Sequence, residues 1–121
     1  MTMKLLIVED SQPVCERLRD IFSRLPGLQT EVAGDIREGK ARFLESKPEM
    51  VILDVQLPDG SGLDLLGVIK QEQPATRVLM FSNYTLYRRR CVAEGADYFF
   101  DKSMDLDSLT STVRRLAEVG A

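Results

Sequence analysis

The chain has 121 residues, 44% of them hydrophobic and 29% charged, which suits one globular domain burying roughly two-thirds of the surface its unfolded form exposes. A formal net charge of −3 disfavours non-specific attraction to nucleic acid or anionic lipid, and no segment approaches the roughly 20 apolar residues of a membrane helix. The count of histidines is 0, which excludes serine–histidine hydrolysis, histidine metal sites and histidine general-base chemistry.

The first apolar run, Lys4–Val8, is too short for a signal peptide and meets Glu9-Asp10 at once. The expected location is the cytoplasm. That run reads as a buried strand ending on acids. Ser11 is placed to cap the helix that follows, with Pro13 in its first turn and Val14, Leu18, Ile21, Phe22 and Leu25 at helical spacing up to Pro26-Gly27. Over Leu28–Ala33, Leu28, Thr30 and Val32 alternate with Gln29 and Glu31, the pattern of an edge strand with one wet face. Asp35 caps a second predicted helix carrying Ile36, Phe43 and Leu44 on one face and ending before Pro48.

Next comes the stretch on which the chemistry turns, Met50 to Gly62. Its apolar residues Val51, Ile52 and Leu53 stop abruptly at Asp54, and a Pro58-Asp59-Gly60 turn precedes a helix opened by Ser61 or Gly62, with Leu63, Leu66 and Ile69 inward. Arg77–Ser82 is another apolar run, ending on a hydroxyl. The following helix, about Thr85–Glu94, has the poorest apolar stripe: Leu86, Tyr87, Cys91 and Val92 are diluted by Arg88-Arg89-Arg90, so it is expected to dock most loosely. The three arginines point in different directions and suit a solvated face or a small partner patch. Tyr98-Phe99-Phe100 forms a short last strand ending at Asp101-Lys102, and Asp105 or Asp107 caps a final helix with Leu109, Val113, Leu116 and Ala117 inward. Cys15 and Cys91 lack zinc or redox spacing and read as quiet, reduced thiols.

Five strand–helix units with short loops predict an α/β fold, a doubly wound (βα)5 flavodoxin-like sandwich on a parallel five-stranded sheet of order 2-1-3-4-5. Residues 1–121 are expected to form one domain with no output domain after Val119-Gly120-Ala121. In such a sheet ligands bind beyond the carboxyl ends of the strands, where the order reverses between strands one and three. Glu9, Asp10 and Asp54 should converge there, with Ser82 and Lys102 arriving from the next two strand ends. One ammonium does not neutralise three carboxylates, so a divalent cation is implied, and an oxygen-only half-cage suits Mg²⁺ (or Mn²⁺) better than Ca²⁺. A carboxylate held beside such a metal, with a lysine and a hydroxyl at hand, is equipped as a nucleophile toward phosphorus.

Along its whole length the chain resembles a response-regulator receiver domain of two-component signalling: Glu9-Asp10 after the first strand, Asp54 after the third, Pro58 and Gly62 behind it, Ser82 after the fourth, and Phe99 followed by Lys102 on the fifth. The resemblance implies that Asp54 accepts a phosphoryl group from the phosphohistidine of a histidine kinase or phosphotransfer protein, or from a small phosphodonor. It implies Mg²⁺ ligands at Glu9, Asp10, Asp54 and the backbone carbonyl of Gln56, with Lys102 on the phosphoryl oxygen and Ser82 moving toward it. The chain itself is then a phosphoacceptor that assists its own phosphorylation and dephosphorylation, not an enzyme acting on a separate substrate. Phe99 fills the place of the family's switch aromatic, reshaping the face of the fourth helix, fifth strand and fifth helix. Without a hydroxyl, its ring is expected to be biased inward before phosphorylation. Gln56 and Tyr84 flank the phosphosite and are expected to tune hydrolysis, Tyr84→Ala losing phosphate faster.

The family's usual proline after the lysine is replaced here by Ser103, and a trans bond is expected, since cis before serine costs about 2.5–4 kcal/mol. The implied partners are the phosphodonor protein and a downstream protein or output domain, with phosphorylation-dependent homodimerisation as an option. Two rival readings stand beside this one. An unphosphorylated pseudo-receiver would be a pure interaction module. A haloacid-dehalogenase-like phosphatase would share the aspartate nucleophile and Mg²⁺ but needs a second aspartate where Gln56 stands.

Overall fold

The computed structural model describes residues 2–119; the expected domain span also includes Met1, Gly120 and Ala121, which lie outside the described residues. Five parallel strands, β1 (Met3–Val8), β2 (Leu28–Ala33), β3 (Met50–Leu53), β4 (Arg77–Ser82) and β5 (Tyr98–Asp101), form one sheet in the order 2-1-3-4-5. Helices α1 (Gln12–Phe22), α2 (Ile36–Ser46), α3 (Gly62–Glu72), α4 (Arg88–Ala93) and α5 (Leu106–Val119) connect and follow them. The predicted flavodoxin-like sandwich is the observed fold.

Helices on both faces explain why β1, β3 and β4 read as unbroken apolar runs. Successive side chains of a strand point to opposite faces. Leu6, Val8, Val51, Leu53, Val78, Met80 and Phe99 therefore join one core with Phe43 of α2, Leu66 and Ile69 of α3, and Cys91 of α4. Leu5, Ile7, Met50, Ile52, Leu79, Phe81 and Phe100 join the other, with Leu18 and Phe22 of α1 and Leu109, Val113 and Leu116 of α5. β2 is an edge strand, and only Ala33 of its residues is fully buried.

Parallel pairing sets which residues meet at the strand tips. Val8 lies opposite Leu53, Leu53 opposite Met80, and Ser82 opposite Asp101. The next residues along these strands are Glu9, Asp54 and Lys102, so the register alone delivers them to one end of the sheet.

Several local expectations need correction. Ser11 stands before α1, but its side chain makes no capping bond; its N–H instead donates to Glu9 Oε2 at 2.9 Å. Leu44 is 43% exposed rather than sharing the inward face of Phe43. The segment expected as one helix from Thr85 to Glu94 is a 3-10 turn, Thr85–Tyr87, followed by the six-residue α4. Its supposed apolar stripe is largely outside: Leu86 is 97% exposed, Tyr87 and Val92 are exposed, and only Cys91 is buried. The Pro58-Asp59-Gly60 turn closes a small antiparallel hairpin, Gln56–Leu57 against Gly60–Ser61, a pairing too short to leave a period in the sequence. By contrast, Asp35 and Ser61 cap α2 and α3 as expected, accepting from Glu38 N and Leu63 N, and Asp105 stands immediately before α5 with its carbonyl accepting from Leu109 N.

Candidate functional site

The tips of β1 and β3 place two carboxylates in the protein interior. Glu9 is 3% and Asp54 6% exposed, whereas Asp10 is open to solvent. Ligand oxygens of all three lie within 4.8 Å of one another. From the tip of β5, Lys102 Nζ reaches Glu9 Oε1 at 2.5 Å and Asp54 Oδ2 at 2.6 Å. Its position is fixed from behind by its backbone, since Lys102 N donates to the Ser82 carbonyl at 3.1 Å.

Burial is the largest influence on Lys102 and acts to lower its pKa, but hydrogen bonds and charge from Asp54 and Glu9 together outweigh it and hold the ammonium above its usual 10.5. Burial pushes Glu9 above its usual 4.5 against the hydrogen bonds it receives from Lys102 and Ser11. The asymmetry is physical: one ammonium is shared between two buried acids, and neither is fully compensated. Asp54 Oδ1 is the visible remainder, a buried oxygen without a hydrogen-bond partner among the described residues.

That orphan oxygen tests whether a cation suits the site. A buried carboxylate oxygen lacking a donor loses hydration without replacement, and it stands among hard oxygen ligands with no histidine or thiolate in the set. These donors fit a Mg²⁺-type ion. Gly62 shapes the loop behind: a Cβ there would lie 1.9 Å from the Asp54 carbonyl oxygen, and Gly62 N donates to the Val55 carbonyl at 2.5 Å. Only glycine allows the start of α3 to approach the end of the Asp54 strand this closely.

The remaining predicted site residues fall at the same end of the sheet. Ser82 is fully buried, and its hydroxyl accepts from Tyr84 N at 3.1 Å. Tyr84 itself is 45% exposed. Gln56 is exposed and begins the hairpin, opposite Ser61. Phe99 is buried in the core shared by α2, α3 and α4, and the Arg88 guanidinium lies 4.9 Å from its ring centroid while donating to the Phe99 carbonyl at 3.2 Å. Cys15 also borders the site, its thiol 3.3 Å from the Glu9 carbonyl; burial and the Glu9 charge push that thiol up to about 11, and Cys91 is likewise raised by burial. Both remain thiols at neutral pH, as the spacing suggests.

Three features at this end of the molecule escape the sequence reading. Asp59 bridges to α2, accepting from Ile36 N at 2.8 Å and Arg37 N at 3.0 Å. Asp101 Oδ1 accepts from both the backbone N–H and the hydroxyl of Ser103, at 2.8 and 2.7 Å. Arg88 covers Phe99. The first signal lies 23 positions from its partner; the second was present as Asp-Lys-Ser, a turn-forming spacing.

The family model of the response regulator receiver domain matches residues 5–114. The chain belongs to the response-regulator receiver family. This receiver is 30% identical over 108 residues to the photosynthetic apparatus regulatory protein RegA of Cereibacter sphaeroides, covering 88% of the chain and 58% of RegA. It is 33% identical over 112 residues to the response regulator protein PilR of Pseudomonas aeruginosa, covering 91% of the chain and 25% of PilR. The receiver thus spans little more than half of one curated relative and a quarter of the other. Among solved structures, the response regulator TrrA of Thermotoga maritima, described in complex with Mg²⁺-BeF, superposes with a TM-score of 0.84 at 27% identity, over 96% of this chain and 99% of that one. Two-component signalling is the function class of the family.

Proposed function

We propose that this receiver is switched by transfer of a phosphoryl group to Asp54. The observation that carries the reading is the Asp54 carboxylate itself, buried at the tip of the central strand with one oxygen on Lys102 and the other without a partner among the described residues. In the transfer, a carboxylate oxygen of Asp54 forms a bond to phosphorus as the bond from phosphorus to the donor breaks. With a phosphohistidine, the leaving imidazole nitrogen keeps the electron pair. No general base is built into the step, because the nucleophile is a carboxylate oxygen rather than a hydroxyl or a thiol.

Lys102 is already within hydrogen-bond distance of the nucleophile, and its raised pKa keeps it charged, so it can neutralise oxygens of the incoming group. Glu9, Asp10, Asp54 and the Gln56 carbonyl would hold Mg²⁺ or Mn²⁺, which supplies charge neutralisation for the transferring phosphoryl group. Ser82 offers a hydroxyl whose oxygen accepts from Tyr84 N and whose O–H is available to donate to a phosphoryl oxygen. Phe99, buried under Arg88, is the candidate for transmitting the change to the α4-β5-α5 face. Tyr84 and Gln56, exposed at either side, are candidates for controlling the access of water to the acyl phosphate. A histidine kinase or phosphotransfer protein is the proposed donor, and a protein partner or output domain the proposed target.

The test is intact mass after incubation with Mg²⁺ and acetyl phosphate. One added phosphoryl group, absent with a chelator and absent in Asp54→Asn, is the expected result. No adduct with either acetyl phosphate or a phosphorylated kinase would leave the module as a pure interaction domain.

A further inference from the structure

Lys102 must hold its ammonium at a fixed place between two acids, yet the residue after it is serine, and the peptide bonds of the described residues include no cis bond. The loop from β5 to α5 therefore has neither a proline ring nor a cis peptide to stiffen it. What it has instead is a closed set of short bonds around Asp101. Its Oδ1 accepts from Ser103 N at 2.8 Å and Ser103 Oγ at 2.7 Å. Its N–H donates to Asp105 Oδ2 at 2.9 Å, and its carbonyl accepts from Met104 N at 3.2 Å and Asp105 N at 2.8 Å. Every one of these bonds spans Lys102 without using its side chain. The hydroxyl of Ser103, and then its N–H, hold the Asp101 carboxyl below its usual 3.8, so the acceptor is ionised at neutral pH.

We propose that Asp101 and Ser103 are positioning residues for Lys102, a carboxylate-closed turn that aims the ammonium at Glu9 and Asp54. The residue on the strand side of the lysine and the residue on the helix side are tied across it, so the Lys102 backbone is clamped at both ends: by this turn, and by its own N–H on the Ser82 carbonyl. A side chain as long as lysine loses considerable rotamer freedom when its tip is fixed, and anchoring its Cα removes part of the backbone freedom that would compete with that fixation. The inference rests on the proposed role of Lys102 in phosphoryl transfer, but the clamp itself is visible without it.

Two readouts separate the clamp from the chemistry. The first is the side-chain ammonium signal of Lys102 in 15N NMR of the unphosphorylated protein, assigned with Lys102→Arg. It should be observable in the native chain, because hydrogen bonds to Glu9 and Asp54 slow exchange with water. The second is the rate of acetyl phosphate uptake followed by intact mass, resolved into maximal rate and half-saturating donor concentration. Asp101→Ala should lose the ammonium signal and lower the maximal rate about tenfold, the effect of losing one to two short hydrogen bonds at a positioned group, with half-saturation within about twofold of native. Asp101→Asn, which keeps the Oδ1 acceptor, should retain both. Ser103→Ala, losing only the hydroxyl bond, should fall between, and it keeps the test open if Asp101→Ala folds poorly.

An unchanged Lys102 signal in both Asp101→Ala and Ser103→Ala overturns the proposal, as does an Asn variant as impaired as the Ala variant. If the native chain takes up no phosphoryl group, the phosphoacceptor reading fails, while the ammonium signal still decides whether Asp101 and Ser103 position Lys102.

Discussion

At the scale of single residues, the acid cluster is under electrostatic load. Glu9 and Asp54 share one ammonium with Asp10 beside them in solvent, and Asp54 Oδ1 is buried without a donor among the described residues. Relieving that load should stabilise the fold even as it removes the proposed chemistry. Asp54→Asn is expected to raise stability without divalent ions by about 1 kcal/mol, a few degrees in Tm for a chain of this size. Thermal unfolding with and without Mg²⁺ checks it. The native protein should gain stability from Mg²⁺ by mass action, and the variant should gain much less. An Asn variant that is less stable than native, or equally responsive to Mg²⁺, contradicts the electrostatic account. Most of these residues were legible in the sequence, because acids at the ends of apolar strands are conspicuous and the strand order brings those ends together. What was not legible is which acid is compensated: Glu9 and Asp54 share Lys102 while Asp10 faces water, a matter of side-chain direction beyond the strand tips.

At the scale of elements, the α4 region and the hairpin behind Asp54 behave differently. α4 contributes a single buried side chain, Cys91, and its start is held by Arg88 over the Phe99 ring. A cation–π contact at an exposed site is worth about 0.5–1 kcal/mol, so Arg88→Ala should speed amide exchange in α4 severalfold while leaving β1 and β3 unchanged. Uniform change across the sheet would show that Arg88 acts globally instead. The sequence suggested weak docking here but overrated the apolar stripe. Leu86 and Val92 look like core residues in a helical window, but Leu86 lies in the 3-10 turn and Val92 on the outer side of α4, and both face out while Cys91 is buried.

The hairpin is tied down by Asp59 on the first N–H groups of α2, a bond between segments 22 and 23 positions apart that no local pattern reveals. Hydrogen bonds, that from Ile36 first, hold the Asp59 carboxyl below its usual 3.8. A carboxyl depressed on folding contributes stability that is complete above the unfolded pKa and is lost as pH falls through the folded one. Urea unfolding from neutral pH down to about pH 3 should therefore show a shallower acid loss in Asp59→Asn than in the native chain. Equal acid slopes would count against this tie.

For the whole molecule, the sheet order and the helices on both faces followed from strand–helix alternation and from three continuous apolar runs beside one alternating run. The sandwich is what those patterns require once crossovers are right-handed. Two cores flank one sheet, and Asp54 sits at the seam where the strand order reverses, so the proposed chemistry would lie close to both. Phe99 and Phe100 are adjacent on β5 yet belong to opposite cores. A change at the strand tips that moves β5 is therefore felt on the α4 side and the α5 side together.

The central claim is that Asp54 forms an acyl phosphate. Its most direct test is reduction of the phosphorylated protein with borohydride, which converts an aspartyl phosphate to homoserine, followed by peptide sequencing in the mass spectrometer. The account predicts homoserine at position 54 alone, dependent on Mg²⁺ during phosphorylation. Homoserine at position 10, or a phosphoryl group retained on a serine or threonine with Asp54 intact, would contradict it.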